Sequence, residues 1–404
     1  MNIIYVTICR ITDVNEKDIN TDLIRRFRDS GHNVYVVTPR ERKFKIDTRL
    51  TKQDGVNLLE VKTLNIQKTN VIEKGIGTIL VESQFKKAIK KYLVNVRFDL
   101  ILFTTPPITF PNVIKFLKKE NQQAKTYLML KDIFPQNAVD LGMFSRISPL
   151  YWYFRKKEKD TYKDCDYIGC MSPANMDYLK KHNAYLNPSC IEVCVNGYDI
   201  PENSESKSEQ DVVEIRRKYG LPIDRPIVIY GGNIGKPQGI PFLIECLEVN
   251  KTRDDCHFVV VGDGTEYSKI EAWKRMSMPK NMSLFKRLPK LDYDMLVKGC
   301  DIGLIFLDYR FTIPNYPSRI LSYMEYKMPV ICATDVNTDI GRISVDNGYG
   351  LWCESNDSAA FTNCLNSLLI DKGRMKRMGE KGFEYMKENY QAKNAYEAIM
   401  NHFK

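Results

Sequence analysis

Short apolar runs alternate with amphipathic stretches along nearly the whole chain, which predicts strands and helices in regular succession. In the first half, residues 2–8 predict a strand, 18–30 a helix closed by Gly31, and 33–38 a second strand. A variable basic stretch follows, then a helix around 77–95, a strand at 100–104, a helix near 110–119 and a strand at 126–130. After a long aromatic and basic helix come a strand at 166–171, a helix at 173–181 and a strand at 191–195. The second half repeats the alternation with strands at 227–230, 257–261, 283–286, 301–306 and 329–332. Helices at 240–248, 265–275, 292–298 and 317–326 separate or follow them, and 373–403 is helical with a break near Tyr390. Strand–helix alternation with short links predicts an α/β fold of doubly wound parallel sheets.

Between the two series, residues 201–212 are polar and lack periodicity, so a linker is expected within 197–225. The expected organisation is a first domain over 1–200 and a second over 201–387, with a C-terminal helix at about 388–404 returning to the first. At 404 residues the chain is long enough for two such domains. No apolar run approaches the ~18–20 residues of a membrane-spanning helix, and the N-terminus reads as a strand rather than a signal peptide.

Charge changes the picture more than composition does. The net charge is +10, and residues 1–200 carry all of it, with 32 Lys and Arg against 22 Asp and Glu. An excess confined to one half predicts that this half faces something anionic. Eleven cysteines, several within predicted strands and none in a C-x-x-C pair, read as reduced and buried. The four histidines (His32, His182, His257 and His402) lack ligand spacing. Asp292-Tyr-Asp294 imitates a metal-binding Asp-x-Asp, but the start of a predicted helix makes Asp292 an expected N-cap. No nucleic-acid recognition module is visible.

The densest local signal is 226–239, Pro-Ile-Val-Ile-Tyr-Gly-Gly-Asn-Ile-Gly-Lys-Pro-Gln-Gly. A buried strand breaking into glycines before a helix aims backbone amides at one point, which suits phosphate. Four further segments stand out along the chain: Lys131-Asp-Ile-Phe-Pro in the first half, then Phe258-Val-Val-Val-Gly-Asp-Gly, Asp301-Ile-Gly-Leu-Ile-Phe-Leu and Pro317-Ser-Arg-Ile-Leu-Ser-Tyr-Met in the second. Asn196-Gly-Tyr-Asp closes the first half. In this order the segments resemble GT-B glycosyltransferases, specifically the family 4 group that builds bacterial surface polysaccharides, and the resemblance covers essentially the whole chain.

The resemblance implies two Rossmann-like domains facing a central cleft, and retaining transfer of a sugar from a nucleotide-diphosphate donor. It implies no metal and no cofactor beyond the nucleotide-sugar substrate. A UDP-sugar, with an N-acetylated amino sugar among the options, is the expected donor. A polyprenyl-diphosphate-linked or glycan acceptor is expected, on a cytoplasmic protein seated peripherally on the anionic inner membrane surface. A GT-B nucleotide-sugar epimerase and a catalytically weak pseudo-glycosyltransferase partner subunit are the alternative readings.

The loop amides of 232–236, including Gly232, Asn233 and Gly235, are expected to hold diphosphate together with Lys236 and Arg319. Arg319 follows Ser318 at a helix start, where the helix dipole would add to its charge. Gly262 and Gly264 are placed beneath the nucleotide, Leu288 near the base, and Ser322 where relatives hold the ribose. By resemblance, Asp132 and Lys131 face the transferred sugar; the alternative for Asp132 is to cap a helix beginning near Phe134. Departures from the family pattern are explicit. Its Glu-x7-Glu falls on Pro314 and Ser322, the loop Arg and Lys fall on Asn233 and Gln238, and Ile8–Asp13 replaces a Gly-Gly loop, leaving Arg10 or Asp13 to act there. Lys86, Lys87, Lys90 and Lys91, interleaved with Phe85, Ile89, Tyr92 and Leu93 at helical spacing, form the expected acceptor and membrane face. The aromatic and then basic run at 150–157 also suits a peripheral seat on an anionic leaflet, although inward packing as an ordinary amphipathic helix with solvated lysines is the favoured reading there.

Overall fold

The computed structural model describes residues 1–66, 71–200 and 208–404. The chain forms two compact units, Met1–Asp199 with Gln391–Lys404, and Ile200–Tyr390.

The first unit is built on eight strands: β1 (Asn2–Val6), β2 (Asn33–Glu41), β3 (Arg49–Gln53), β4 (Val56–Thr63), β5 (Leu100–Thr105), β6 (Lys125–Leu130), β7 (Tyr167–Cys170) and β8 (Ile191–Val193). Their order across the sheet is β3-β4-β2-β1-β5-β6-β7-β8. Helices cover both faces of such a sheet, so β1 and β5 are apolar throughout instead of alternating, and Ile3, Ile4, Leu100 and Ile101 are fully buried. All pairings are parallel except β3 with β4. That hairpin corrects the expectation of an irregular basic stretch. Its turn is Asp54-Gly55, both left-handed at φ of 43° and 83°, the pairing a two-residue hairpin demands. Glu60 on β4 is buried between Arg40 and Arg49, accepting from Arg49 Nε at 2.6 Å. Basic side chains here therefore serve a paired strand.

The helix Ala392–Met400 completes this unit. Ala395 and Ile399 lie in the same buried cluster as Ile3, Phe27 and Leu102, and the Tyr396 ring stands 5.1 Å from Phe27. Beyond it, His402 stacks on Tyr167 with centroids 3.6 Å apart.

The second unit holds β9 (Ile227–Asn233), β10 (His257–Asp263), β11 (Met282–Lys286), β12 (Ile302–Phe306), β13 (Val330–Thr334) and β14 (Gly350–Glu354). The order is β11-β10-β9-β12-β13-β14, all parallel. Succession reverses between β9 and β12, the switch point where open α/β sheets bind ligands beyond the carboxyl ends of their strands. Strand β14 and the helices Ile340–Asp346 and Ser358–Leu369 occupy a stretch to which the apolar pattern assigns no element.

Residues 201–207 of the expected linker lie outside the described residues. Its remainder begins a helix, Glu209–Lys218, whose N-cap Ser208 accepts from the Asp211 amide at 3.1 Å. Buried Arg216 on that helix donates to the Gly299 carbonyl at 2.9 Å, so these residues belong to the packed second unit. Among the described residues no helix is long and apolar enough to cross a membrane.

Candidate functional site

In the second unit the glycine segment is more ordered than its sequence suggests. Strand β9 does not stop at Tyr230; it runs through Gly231 and Gly232 to Asn233, in register with Val261, Gly262 and Asp263 of β10. The Ile234 amide then donates to the Asp263 carbonyl at 3.0 Å, and the Gly235 amide to Gln238 Oε1 at 3.2 Å. Asn233 Nδ2 donates to the same Gln238 oxygen at 2.8 Å. The expected cradle of amides over 232–236 is thus corrected: the amides of Ile234 and Gly235 are already engaged. Gln238 braces the turn.

What the glycines supply instead is room. A Cβ on Gly232 would stand 3.6 Å from Arg319 Cζ, so the guanidinium lies against this backbone. Arg319 is partly buried, 4.7 Å above the Tyr230 ring, and its Nη1 is a buried donor with no acceptor. A buried unpaired N–H costs about 1–3 kcal/mol, so such a group signals a partner still to arrive. The helix Arg319–Glu325 spans seven residues, and its N-cap Ser318 is exposed and makes no side-chain capping bond. The cation itself, rather than a helix dipole, defines this corner. Lys236 is exposed at the start of the turn 236–238, while Ser322 is half-buried one turn beyond Ser318. Leu288 is half-buried in the loop after β11.

Three tyrosines that the sequence pattern does not single out hold Arg319 and the glycines in place. Tyr323 Oη accepts from the Gly231 amide at 3.1 Å, and its ring covers Gly303, where a Cβ would come within 2.3 Å. Tyr230 Oη donates to the Asn233 carbonyl at 2.6 Å. Tyr293 Oη stands where a Gly231 Cβ would reach within 2.4 Å. Tyr323 lies four residues beyond Arg319, a spacing visible in the sequence; its target glycine on β12 is not.

Gly262 and Gly264 bring the two strand ends together. A Cβ on Gly262 would fall 1.8 Å from the Gly232 carbonyl oxygen, and one on Gly264 2.2 Å from that of Ile234. Gly264→Ala is therefore expected to cost about 2–4 kcal/mol, since backbone must move rather than a flexible side chain. Chemical denaturation reads this directly, and an unchanged midpoint would show that the turn accommodates the methyl.

In the first unit Asp132 and Lys131 follow β6, at the carboxyl end of the sheet. They diverge. Lys131 Nζ donates to Asn20 Oδ1 at 2.7 Å, an oxygen that also accepts from Tyr5 Oη at 2.7 Å. Burial lowers the pKa of this amine, opposed by nearby acidic groups including Asp18. Lys131 thereby ties β6 to the helix Ile19–Asp29. Asp132 accepts from Asn137 Nδ2 at 2.8 Å. Burial pushes its pKa up to about 6, against the bonds from Asn137 and the Ile133 amide. The helix nearest to it starts at Gln136 with Pro135 at the cap, so Asp132 is not the N-cap. In the replaced Gly-Gly loop, Arg10 lies 3.8 Å over the Phe44 ring and Asp13 turns back to the Asn15 amide at 2.9 Å.

Lys86 and Lys90 sit over the Phe116 ring at 5.4 and 5.1 Å and line a groove of about 530 Å³ with Lys115 and Lys119. Lys87 and Lys91 are exposed on the same helix and do not line it. Asp292 is corrected too: the helix Lys290–Lys298 is capped at Pro289, and Asp292 pairs with Lys218 at 3.0 Å. Asp294 binds Lys290 at 2.6 Å. Among the described residues no group of three or more His, Cys, Asp or Glu is placed to hold a metal ion.

Comparison with known proteins bears on the fold and the general class. Residues 211–385, nearly the whole second unit, match the family model of the glycosyl transferases group 1. Probable glycosyltransferase WbjE of Pseudomonas aeruginosa is 22% identical over 74% of this chain and 73% of its own. The Anabaena protein Alr3699/HepE, solved in complex with UDP and glucose, superposes with a TM-score of 0.72 at 16% identity, covering 100% of this chain and 99% of that one. WaaG, a glycosyltransferase involved in lipopolysaccharide biosynthesis, superposes at 0.67 and 14%, covering 98% and 99%. Two parallel-sheet α/β units of this kind define the GT-B class. Within the second unit, residues 211–385 are similar to the glycosyl transferases group 1.

Proposed function

We propose that the chain is a retaining glycosyltransferase that moves a sugar from a nucleotide-diphosphate donor, UDP-linked, onto a lipid-linked or glycan acceptor in surface-polysaccharide assembly. The observation that carries this reading is Arg319, a guanidinium held against the Gly232 backbone at the switch point with one donor unpaired. A diphosphate supplies paired anionic oxygens matched to that fork. Lys236, exposed on the adjacent turn, is assigned to the same group. As the sugar–phosphate bond breaks, negative charge grows on the departing diphosphate, and fixed cations there lower the barrier most. The departing phosphate oxygen takes the acceptor proton in this scheme. Asp132 is assigned to the sugar hydroxyls, and the reading places the protein in the cytoplasm. The WbjE likeness supports glycosyl transfer, the UDP complex of the Anabaena protein supports a UDP-sugar donor, and the involvement of WaaG in lipopolysaccharide biosynthesis motivates the polysaccharide setting.

The test is calorimetric titration of the full chain with UDP and GDP, followed by UDP-sugar turnover. UDP binding in the micromolar range with slow release of free sugar and UDP is the expected outcome. Isomerised sugar without acceptor would favour an epimerase. No nucleotide binding would favour a supporting subunit, the reading that Pro314 and Ser322 motivate.

A further inference from the structure

The helix Pro149–Lys163 carries its aromatic tip outward instead of packing it inward. Its buried side chains are Glu158, Thr161 and Tyr162, whereas Leu150, Trp152 and Tyr153 are 47%, 61% and 44% exposed. Just before it, Met143 is 62% and Ile147 88% exposed. Five large apolar residues exposed within eleven positions is the densest such run among the described residues.

The exposure is built in. On the inner side, Phe154 packs 4.9 Å from Phe134 and 6.5 Å from Phe144. Buried Glu158 pairs with Arg155 and accepts from Tyr162 Oη at 2.9 Å, and Arg155 Nη2 reaches Asn183 Oδ1 at 2.9 Å. The helix is pinned by its polar side and its phenylalanines, so its aromatic tip is held outward.

Charge identifies what the tip meets. Trp152, Lys156, Lys159 and Lys163 recur at i, i+4, i+7 and i+11, one stripe opposite the buried residues. Lys159 and Lys163 stand 5.9 and 5.3 Å over the half-exposed Tyr185 ring. An apolar tip of Trp, Tyr, Ile and Leu with a collar of long cations matches the layering of a bilayer surface: acyl boundary first, anionic headgroups next. A protein partner would need acidic groups complementary to every lysine of the stripe, whereas an anionic leaflet supplies them at any register. The lysines at 86 and 90 lack this layering, because the apolar surface beneath them is Phe116, which they cover.

We propose that segment 143–163 seats the protein on an anionic lipid bilayer, with Ile147 and Trp152 entering the interface and the lysine stripe over the headgroups. The proposal rests on the transferase reading only in making the acceptor lipid-linked; the surface itself stands on exposure and charge.

The experiment is co-sedimentation of the full chain with vesicles of phosphatidylcholine, and with vesicles also containing phosphatidylglycerol. Tryptophan emission is recorded alongside; the chain has three tryptophans. Binding to the anionic vesicles, weakened by salt and accompanied by a blue shift, is expected. The double variant Ile147→Asp, Trp152→Asp should bind at least about 10-fold more weakly. Trp152→Phe should bind and lose the shift. No binding of the parent chain, or equal binding of the double variant, would overturn the proposal. So would a double variant that changes only the oligomeric state, or binding lost instead in Lys86→Glu, Lys90→Glu. UDP-induced thermal shift separates the two readings: vesicle binding without a UDP response would sink the donor assignment and leave this surface standing.

Discussion

Arg319→Ala is expected to lower affinity for UDP by about 100-fold or more, with little change in the unfolding transition. The two halves of that expectation have one cause. Arg319 Nη1 has no acceptor in the folded chain, and truncation there removes mainly the stacking on Tyr230 and a side-chain bond with it, while Tyr230 Oη keeps the Asn233 carbonyl. With diphosphate present, the same truncation removes the charge-assisted pair. Arg319→Lys restores charge without the planar fork and is expected to recover only part of the affinity. Calorimetry with UDP beside thermal unfolding separates these effects. A large drop in stability with unchanged affinity would make Arg319 a packing residue.

Asp132→Asn is expected to lower kcat for transfer by about 100- to 1000-fold while stabilising the protein at neutral pH. The carboxyl titrates at about 6 in the folded chain because it is buried. In the unfolded chain it titrates near the ordinary aspartate value of about 3.9. Between roughly pH 4 and 6 the folded state therefore keeps a proton that the unfolded state has released, and stability falls as pH rises. Above about pH 6 the penalty is complete, on the order of 1–3 kcal/mol. Asparagine removes it, so the variant gains stability at pH 7.5 and none at pH 3. Unfolding midpoints at both values, with transfer rates, check the pair of effects. A variant less stable at pH 7.5 would mean that the Asn137 bond outweighs burial.

The sheets are readable from apolar runs because parallel strands buried on both faces cannot alternate. Segment 340–369 is not, since its short helices carry mixed faces, and the Asp54-Gly55 hairpin escapes the pattern because charge along β3 and β4 masks a turn signal that is present. At the candidate site, the glycine run serves a different physical purpose from the cradle of amides its sequence suggests. Gly231 and Gly232 pair with β10 and admit Arg319 and Tyr293, which depends on the register of Gly262 against Gly232 and is invisible to a local pattern. The tyrosine cage depends likewise on Gly303 lying under Tyr323. Asp132 and Lys131 are adjacent in sequence and serve opposite directions, which only the position of Asn20 decides.

The helix Ala392–Met400 inserts Ala395 and Ile399 into a core otherwise made by the first 199 residues. During synthesis that core has to wait, with the face around Phe27 uncovered, until the second unit has been translated. Stalled or C-terminally clipped chains would thus hold a complete second unit beside a sticky, unfinished first one.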